Sequence, residues 1–317
     1  MNLRLQAGNK GSFTVMQLTD SHTGEDAGKN ARTAELIEQL IAWEKPDFIV
    51  HTGDAVWGER SEEQIREALL PLSESGIPWT YVFGNHDAEA AHNKDRLFEC
   101  IRKMPNCRMW HDEGSGSDRL GNHYLEVCNG AGQVMWVLFF LDSGEMYPDP
   151  RVGGYAVIGR EQIDWYRRVS ARYASENPGY AAMLFQHIAL PEFREMWEME
   201  TTYGMKREEV CCPRINTGFF SALVEDGHAR GVFVGHDHTN DFWGTRFGVA
   251  LGYGRQSGYG GYSADDFLKG CRMFRLSCDE GQKKAAVPSF ETYLRLEDGR
   301  QITSPWKREP EYVRHDL

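Results

Sequence analysis

Short apolar segments alternate with amphipathic segments along most of the chain, and this alternation limits the possible fold more than any other feature. Apolar residues spaced three and four apart predict helices, and short apolar runs bounded by turn residues predict strands. Strands are predicted at 13–19, 47–52, 78–83, 123–127, 133–142, 180–186 and 229–235, and helices at 34–44, 61–72, 93–104, 160–174 and 216–225. Such an alternation favours an α/β fold with a largely parallel sheet and helices outside it.

The chain has 317 residues, which suits one large domain or two small ones. No internal repeat, low-complexity tract or long linker divides the sequence. We therefore predict a single domain over residues 1–317 with two packed sheets, the second completed by short strands after residue 240. The segment 191–215 is the main stretch predicted to be irregular.

Charge and cysteine content limit the partners and the compartment. The formal net charge of −12 repels phosphate backbones, so nucleic acid is not an expected partner. The seven cysteines match no zinc spacing, and free thiols in a reducing compartment are expected. The N-terminus has no apolar signal region, and the apolar run at 134–141 is too short to span a bilayer. These features predict a soluble cytoplasmic protein without a membrane partner.

Polar clusters follow five of the predicted strands directly. These clusters are Asp20-Ser21-His22, Gly53-Asp54, Asn85-His86-Asp87, His187 and His236-Asp237-His238. In open α/β sheets, ligands bind beyond the carboxyl ends of the strands. We therefore expect the clusters to meet in space although they lie far apart in sequence.

The residue types of these clusters indicate a metal site. His, Asp and Asn side chains without Cys favour Mn, Fe or Zn. Seven candidate ligands exceed what one tetrahedral ion accepts and suit two ions, which one carboxylate can bridge. The spacing alone does not decide which ion His236 and His238 each bind. Asp237, between them, is expected to face away.

The order of the motifs D-x-H, G-D, G-N-H-D, a single H and G-H-x-H resembles that of the calcineurin-like metallophosphoesterase superfamily. The match runs from Asp20 to His238. The segments 216–244 and 251–263 resemble the branch related to purple acid phosphatases, in its small cytosolic type. The resemblance implies a four-layer αββα sandwich of two mixed sheets flanked by helices.

The resemblance also implies the roles of the site residues. One divalent metal would be held by Asp20, His22, Asp54 and His238, and the other by Asp54, Asn85, His187 and His236. His86 would remain as the general acid, with Asp87 to orient it, although an Asp there also satisfies turns.

The reaction implied by the resemblance is hydrolysis of a phosphomonoester by a hydroxide that bridges two divalent ions of Mn, Fe or Zn. A phosphorylated small molecule or a phosphoprotein would be the substrate. The alternatives are a phosphodiesterase, for example on a cyclic nucleotide, and a non-catalytic binding scaffold.

Two positions depart from the purple acid phosphatase pattern, and one of them is His22 of the first motif, where those enzymes would be expected to supply no imidazole. Those enzymes carry a Tyr three residues after the Asp of the G-D motif, whereas this chain has Trp57. An indole cannot replace a phenolate ligand, so divalent ions and a colourless protein are expected. Trp57 is also compatible with simple packing against a helix.

Two further segments leave their roles open at this stage. The glycines and tyrosines at 258–262 are compatible with a pocket rim or with a plain turn. Basic residues of the segment 191–215 are compatible with phosphate contacts or with a solvated loop. The four residues concerned are Arg194, Lys206, Arg207 and Arg214.

Overall fold

The computed structural model describes residues 3–7, 11–57, 62–87, 94–116, 119–278 and 288–310. Its strands are β1 (Arg4–Gln6), β2 (Ser12–Leu18), β3 (Phe48–His51), β4 (Trp79–Tyr81), β5 (His123–Cys128), β6 (Val134–Phe140), β7 (Ala181–Phe185), β8 (Thr202–Tyr203), β9 (Ala229–Val234), β10 (Trp243–Arg246), β11 (Val249–Tyr253), β12 (Gly270–Ser277), β13 (Phe290–Leu296), β14 (Gln301–Ile302) and β15 (Lys307–Arg308). The α-helices are α1 (Ala27–Glu44), α2 (Glu62–Ala68), α3 (Leu70–Glu74), α4 (Lys94–Ile101), α5 (Arg160–Glu176), α6 (Glu192–Met199) and α7 (Phe219–Asp226), with a 3₁₀ turn at Glu113–Ser115.

The strands form two mixed sheets. The larger has the order β1-β5-β6-β7-β9-β11-β10-β8-β15, and the smaller has the order β14-β13-β12-β2-β3-β4. Strands β2, β3 and β4 run parallel to one another, and so do β6, β7, β9 and β11. The remaining strands pair mostly antiparallel, which makes both sheets mixed.

Three apolar clusters lie between the four layers of helices and sheets. One cluster joins the larger sheet to α5, α6 and α7, and a second joins the smaller sheet to α1 through α4. The third lies between the sheets and contains Phe13, Phe48, Trp136 and Phe185. Because each sheet is buried on both faces, its strands read as continuous apolar runs. The predicted αββα sandwich is confirmed.

Two predicted helices differ from the observed ones for local chemical reasons. Helix α1 begins at Ala27 and not at 34, because the Asp26 side chain accepts hydrogen bonds from the backbone N–H groups of Gly28 and Lys29. The predicted helix 61–72 is two helices, since Pro71 stands in the first turn of α3. The first residue of the predicted range, Ser61, lies outside the described residues.

The prediction that 191–215 is irregular is wrong for its first half. Residues 192–199 form α6, and Thr202–Tyr203 form β8. Phe193 and Met196, three residues apart, are both buried in the core of the larger sheet. Two apolar residues at this spacing lie on one face of a helix, and their burial stabilises the helix. The many charged residues around them make this apolar pattern difficult to recognise in the sequence.

Hydrogen bonds join the two sheets where the polar clusters follow the strands. The Gln17 side-chain amide, in β2, donates to the carbonyl of Val234 in β9 at 3.0 Å and to the Thr52 hydroxyl at 3.0 Å.

The division of the chain into domains is not decided by these contacts, and the single domain over 1–317 stays a prediction. Within the described ranges, no helix has the length and apolar character required to cross a membrane.

Candidate metal centre

Five strands end at one place on the sandwich, and each carries candidate ligands just beyond its last residue. Asp20 and His22 follow β2, Asp54 follows β3, and Asn85 with His86 follows β4. From the other sheet, His187 follows β7, while His236 and His238 follow β9. The two sheets thus present their carboxyl ends to the same cavity, as the sequence predicts.

Four of these residues have left-handed backbone conformations. The φ angles are 52° at Asp20, 44° at His22, 54° at Asp54 and 77° at His236. A non-glycine residue in a sparsely populated region costs on the order of 1–3 kcal/mol and persists only where its surroundings hold it. The fold therefore accepts strain at the positions that direct these side chains into the cavity.

The glycine before Asn85 allows the strand ends to approach closely. A Cβ atom on Gly84 would lie 2.1 Å from the Asp54 Oδ1 atom and 2.5 Å from the Asp54 nitrogen. Any side chain there would push Asp54 out of the cavity. This contact explains why the residue between β4 and Asn85 is a glycine.

The first ligand cluster contains Asp20, His22 and His238. The Nε2 atoms of His22 and His238 are 2.9 Å apart, and the Asp20 Oδ1 atom lies 3.9 and 3.6 Å from them. All three side chains are buried. The two imidazoles and the carboxylate converge on one point.

The second cluster contains Asp54, His187 and His236. The His187 Nε2 atom lies 3.1 Å from the Asp54 Oδ2 atom and 3.1 Å from the Asn85 Oδ1 atom. The same Asp54 oxygen lies 3.7 Å from the His22 Nε2 atom of the first cluster. One carboxylate oxygen therefore faces both clusters.

Backbone carbonyls set the orientation of two ligand rings. The Nδ1 atom of His187 is 2.7 Å from the Thr52 carbonyl, and that of His238 is 2.9 Å from the Tyr262 carbonyl. A carbonyl only accepts, so each Nδ1 carries a proton, and Nε2 is the ring atom of each residue that faces the other candidate ligands. This arrangement is typical of metal-binding histidines.

Burial controls the charge of the imidazoles. It lowers the pKa of His238 to about 4 and also lowers the pKa values of His22 and His236, which keeps these rings neutral. Burial also acts to lower the pKa of His187, but the Asp54 carboxylate outweighs it and raises that pKa to about 10. Metal ligation requires neutral imidazoles, so an ion must displace the His187 proton.

Several buried polar atoms of the cavity fit a metal. The Asp54 Oδ2 and His236 Nε2 atoms have no hydrogen-bond partner among the described residues. Orphaned buried polar atoms are costly and call for a ligand. The donor set of imidazole nitrogens and carboxylate oxygens fits divalent Mn, Fe or Zn.

The described hydrogen bonds of Asp87 differ from its predicted role in orienting His86. Its carboxylate accepts hydrogen bonds from the backbone N–H groups of Asp54 (3.0 Å), Ala55 (3.1 Å) and Gly84 (2.7 Å), and from the Tyr81 hydroxyl (2.6 Å). Both oxygens are occupied by these donors. Asp87 therefore fixes the loop that carries Asp54, and its described bonds do not orient His86.

These bonds predict a large effect of Asp87→Ala on stability. Four buried donors would lose their acceptor, and each unsatisfied donor costs about 1–3 kcal/mol. We expect chemical denaturation to show a free energy of unfolding lower by about 3 kcal/mol or more. The exposed Asp265→Ala should stay within about 0.5 kcal/mol of the unsubstituted protein. Equal stability of both variants would contradict the assignment.

His86 is half-buried beside the first cluster. Its backbone N–H donates to the Asp54 Oδ1 atom at 2.8 Å, and its ring centroid lies 5.6 Å from that of His22. The main chain of His86 thus holds the second oxygen of Asp54. The His86 ring thus lies beside the cluster of Asp20, His22 and His238.

The glycine segment after β11 packs against the first cluster and is more than a plain turn. A Cβ atom on Gly261 would lie 2.5 Å from the His238 ring, and one on Gly260 would lie 1.5 Å from the His22 carbonyl oxygen. The segment therefore covers both histidines closely.

Three aromatic residues outside the predicted set of ligands and acid contact the histidines of the site. Trp57 lies beside His22, Tyr155 beside His236, and Tyr262 on His238. The sequence signal for Trp57 was its place after the G-D motif. No spacing pattern identifies Tyr155.

A third group of candidate ligand atoms shares His236 with the second cluster. It consists of Cys211, His236 and Asp237. The Asp237 carboxylate already accepts hydrogen bonds from the Tyr253 hydroxyl at 2.5 Å and the Cys211 N–H at 3.1 Å. Asp237 is thus held within the protein, next to a cysteine that the sequence did not place here.

The described contacts of the basic residues in 191–215 are with protein groups. Arg194 donates to the Val210 carbonyl and Arg214 to the Val152 carbonyl. Arg207 pairs with Asp266, and the Lys206 ammonium lies 3.3 Å from Glu209. These contacts favour a structural role for the segment.

Comparisons with known proteins agree with the geometry. Residues 13–240 match the model of the calcineurin-like phosphoesterase family. The "Probable inactive purple acid phosphatase 29" of Arabidopsis thaliana is 32% identical, over 93% of this chain and 85% of the relative. The "Phosphatase DCR2" of Saccharomyces cerevisiae is 29% identical, over 75% of this chain and 46% of the relative.

A solved structure shares the fold. The dimetal phosphatase from Danio rerio superposes with a TM-score of 0.55 at 14% identity, covering 92% of this chain and 99% of its own. The ordered motifs, the sandwich and the convergent ligand clusters lead to one assignment. The chain is a member of the calcineurin-like phosphoesterase family, with relatives among the purple acid phosphatases.

Proposed function

We propose that the protein is a dinuclear metal-dependent phosphatase that hydrolyses a phosphomonoester of a small molecule or a phosphoprotein. The observation that carries this proposal is the position of the Asp54 Oδ2 atom, 3.1 Å from the His187 Nε2 atom and 3.7 Å from the His22 Nε2 atom. A carboxylate so placed can serve two metal ions at once. The remaining ligands then divide into two sets around it.

The residues would hold two ions as the clusters are arranged. Asp20, His22 and His238 would bind one ion, and His187, His236 and Asn85 the other, with Asp54 shared. Divalent ions at such a site polarise phosphoryl oxygens and lower the pKa of water, which supplies the nucleophile.

Protein groups would complete the reaction. The half-buried His86 beside the first cluster would give a proton to the leaving oxygen, as a general acid. The carbonyls of Thr52 and Tyr262 fix the two ligand rings that they contact, and Asp87 fixes the backbone of Asp54. These groups hold the ligand atoms in position before the substrate binds.

A non-catalytic scaffold is the second candidate, because three relatives carry the word "inactive" in their names. That word describes those proteins. In this chain the seven predicted ligands and His86 lie together at the ends of the strands, which supports the catalytic proposal. Our preference for a reducing, cytoplasmic compartment rests on the seven free cysteines.

The test compares p-nitrophenyl phosphate with bis-p-nitrophenyl phosphate, using protein loaded with Mn. Faster hydrolysis of the monoester supports the proposal. Preference for the diester would indicate a phosphodiesterase. Hydrolysis of neither compound, nor of a panel of phosphorylated metabolites, would favour the scaffold.

Trp57 leads to a prediction about metals. It lies where a phenolate ligand would be needed for ferric iron, and an indole N–H only donates hydrogen bonds. We expect iron-loaded protein to be colourless or pale, and protein loaded with Mn, Fe or Zn in the divalent state to be active. The visible absorption spectrum, with Mn-loaded protein as the reference, checks this. An intense charge-transfer band would contradict it.

A further inference from the structure

Two exposed aromatic rings contact histidines of the metal centre. The Trp57 ring centroid lies 5.4 Å from that of His22 and 4.7 Å from that of His86. The Tyr262 ring stacks on His238 at 4.0 Å, with an angle of 14° between the planes. Trp57 is 48% exposed and Tyr262 is 57% exposed, whereas His22 and His238 are buried. These rings therefore lie between the ligands and the solvent.

A third ring lies at the second cluster. Tyr155 is half-buried and meets the His236 ring edge-on at 4.4 Å. Single exposed aromatic residues are normal on protein surfaces. Two exposed rings and one half-buried ring in contact with the histidines of one site are a feature of that site. We call Trp57, Tyr155 and Tyr262 the aromatic rim.

The rim is partly fixed before a ligand arrives. The Tyr262 hydroxyl donates to the Glu208 Oε2 atom at 2.6 Å, and Thr239 donates to the other oxygen of Glu208. One face of the Tyr262 ring packs on His238. A ring held by its hydroxyl and by one face loses little entropy when a ligand stacks on it.

We propose that the aromatic rim binds the aromatic ring of an aryl phosphomonoester whose phosphate lies at the metal centre. This inference rests on the proposed phosphatase function. The rim residues contact the ligand histidines directly, so the first group beyond the phosphate meets them. In a nucleotide a ribose separates the base from the phosphate, whereas in an aryl phosphate the ring is attached to the ester oxygen.

Charge favours a leaving group without a second phosphate. Glu208, which anchors Tyr262, is an acidic residue, and the nearby Arg207 is paired with Asp266. A second anionic group at the rim would meet repulsion from Glu208. A neutral ring meets none and gains from stacking.

The reaction balances as a hydrolysis. The bond between phosphorus and the aryl oxygen breaks, and a bond between phosphorus and the water oxygen forms. The aryl oxygen takes a proton and leaves as a phenol, and inorganic phosphate follows.

Binding of two phosphonates to Mn-loaded protein, measured by calorimetry, tests the rim without catalysis. Phenylphosphonate and cyclohexylphosphonate have similar size and charge, but only the first is planar and aromatic. We expect phenylphosphonate to bind roughly two- to tenfold more tightly, which corresponds to the usual gain from an aromatic pair. Equal affinities would overturn the inference.

Variants assign the preference to the rim. Trp57→Leu and Tyr262→Leu should each reduce the preference for phenylphosphonate, whereas Trp306→Leu should keep it. Trp306 is 63% exposed and lies beside β15, so it matches Trp57 in chemistry but not in place. An unchanged preference in both rim variants would overturn the inference.

Methylphosphonate separates failure of the rim from failure of the phosphatase function. If methylphosphonate binds and p-nitrophenyl phosphate is hydrolysed, but phenylphosphonate binds no better than cyclohexylphosphonate, only the rim is wrong. If neither binding nor hydrolysis occurs, both proposals fail.

A comparison of kcat/KM for phenyl phosphate and for a phosphotyrosine peptide shows whether the aromatic ring belongs to a small molecule or to a protein. The preferred compound should lose more activity in Trp57→Leu than in Trp306→Leu, and equal losses would overturn the inference.

Discussion

Asp54→Asn is expected to lower phosphatase activity by well over 100-fold and to reduce bound metal to well below two ions per chain. Substitution of groups that merely support a ligand costs about 10–100-fold in metal affinity or activity. Asp54 faces both clusters, so its loss should weaken both sites together. Metal analysis of dialysed protein and the rate of p-nitrophenyl phosphate hydrolysis provide the measurement.

The matched control for this substitution is Asp265→Asn, the same change at an exposed position. It should retain the activity and the metal content of the unsubstituted protein. Full activity of Asp54→Asn would contradict the shared role. So would full activity of the unsubstituted protein after extended dialysis against EDTA.

His86→Ala is expected to lower kcat by roughly 10²–10⁴-fold while both metals stay bound, because general acid catalysis contributes about that much. In the structure the ring lies beside the first cluster, and the contact with Asp54 is made by the backbone N–H, which the alanine variant keeps. The loss should be smaller for p-nitrophenyl phosphate than for an alkyl phosphate, whose leaving group needs the proton more. Steady-state rates and metal analysis check both statements.

The control for His86 is His111→Ala, at a half-buried position outside the clusters. Its kcat should be unchanged. Equal losses for the aryl and alkyl substrates in His86→Ala would exclude the acid role. A missing metal ion in that variant would show that His86 is a ligand.

The sequence predicts the fold well because burial on both sheet faces leaves a strong pattern. Strands such as Ala181–Phe185 are continuous apolar runs, and their predicted ends lie within one or two residues of the observed ones. The candidate ligands could be predicted for a related reason, because the carboxyl ends of parallel strands lie at one edge of a sheet. His187 and Asp20 meet there from different sheets.

Contacts between residues that are distant in sequence could not be predicted from the sequence. Gln17 reads as a polar residue within an apolar strand, yet it joins the two sheets through Val234. Asp87 reads as part of a catalytic motif, yet its carboxylate binds the backbone around Asp54. Tyr155 contacts His236 from a loop with no distinguishing pattern. Each case depends on a pairing that only the folded chain reveals.

Competition for His236 makes the number and place of the metals the central question. The second cluster uses His236 with Asp54 and His187, whereas the alternative group uses it with Cys211 and Asp237. A thiolate ligand would favour a softer ion. The hydrogen bonds that Asp237 accepts from Tyr253 and Cys211 favour the arrangement around Asp54.

Anomalous X-ray diffraction from crystals grown with Mn tests the dinuclear centre most directly. We predict two anomalous peaks on either side of the Asp54 carboxylate, one beside His22 and His238 and the other beside His187 and His236. Two metals in that arrangement are separated by about 3.5–4 Å. A single peak at one cluster, or a peak beside Cys211 and Asp237, would exclude a dinuclear centre shared by Asp54.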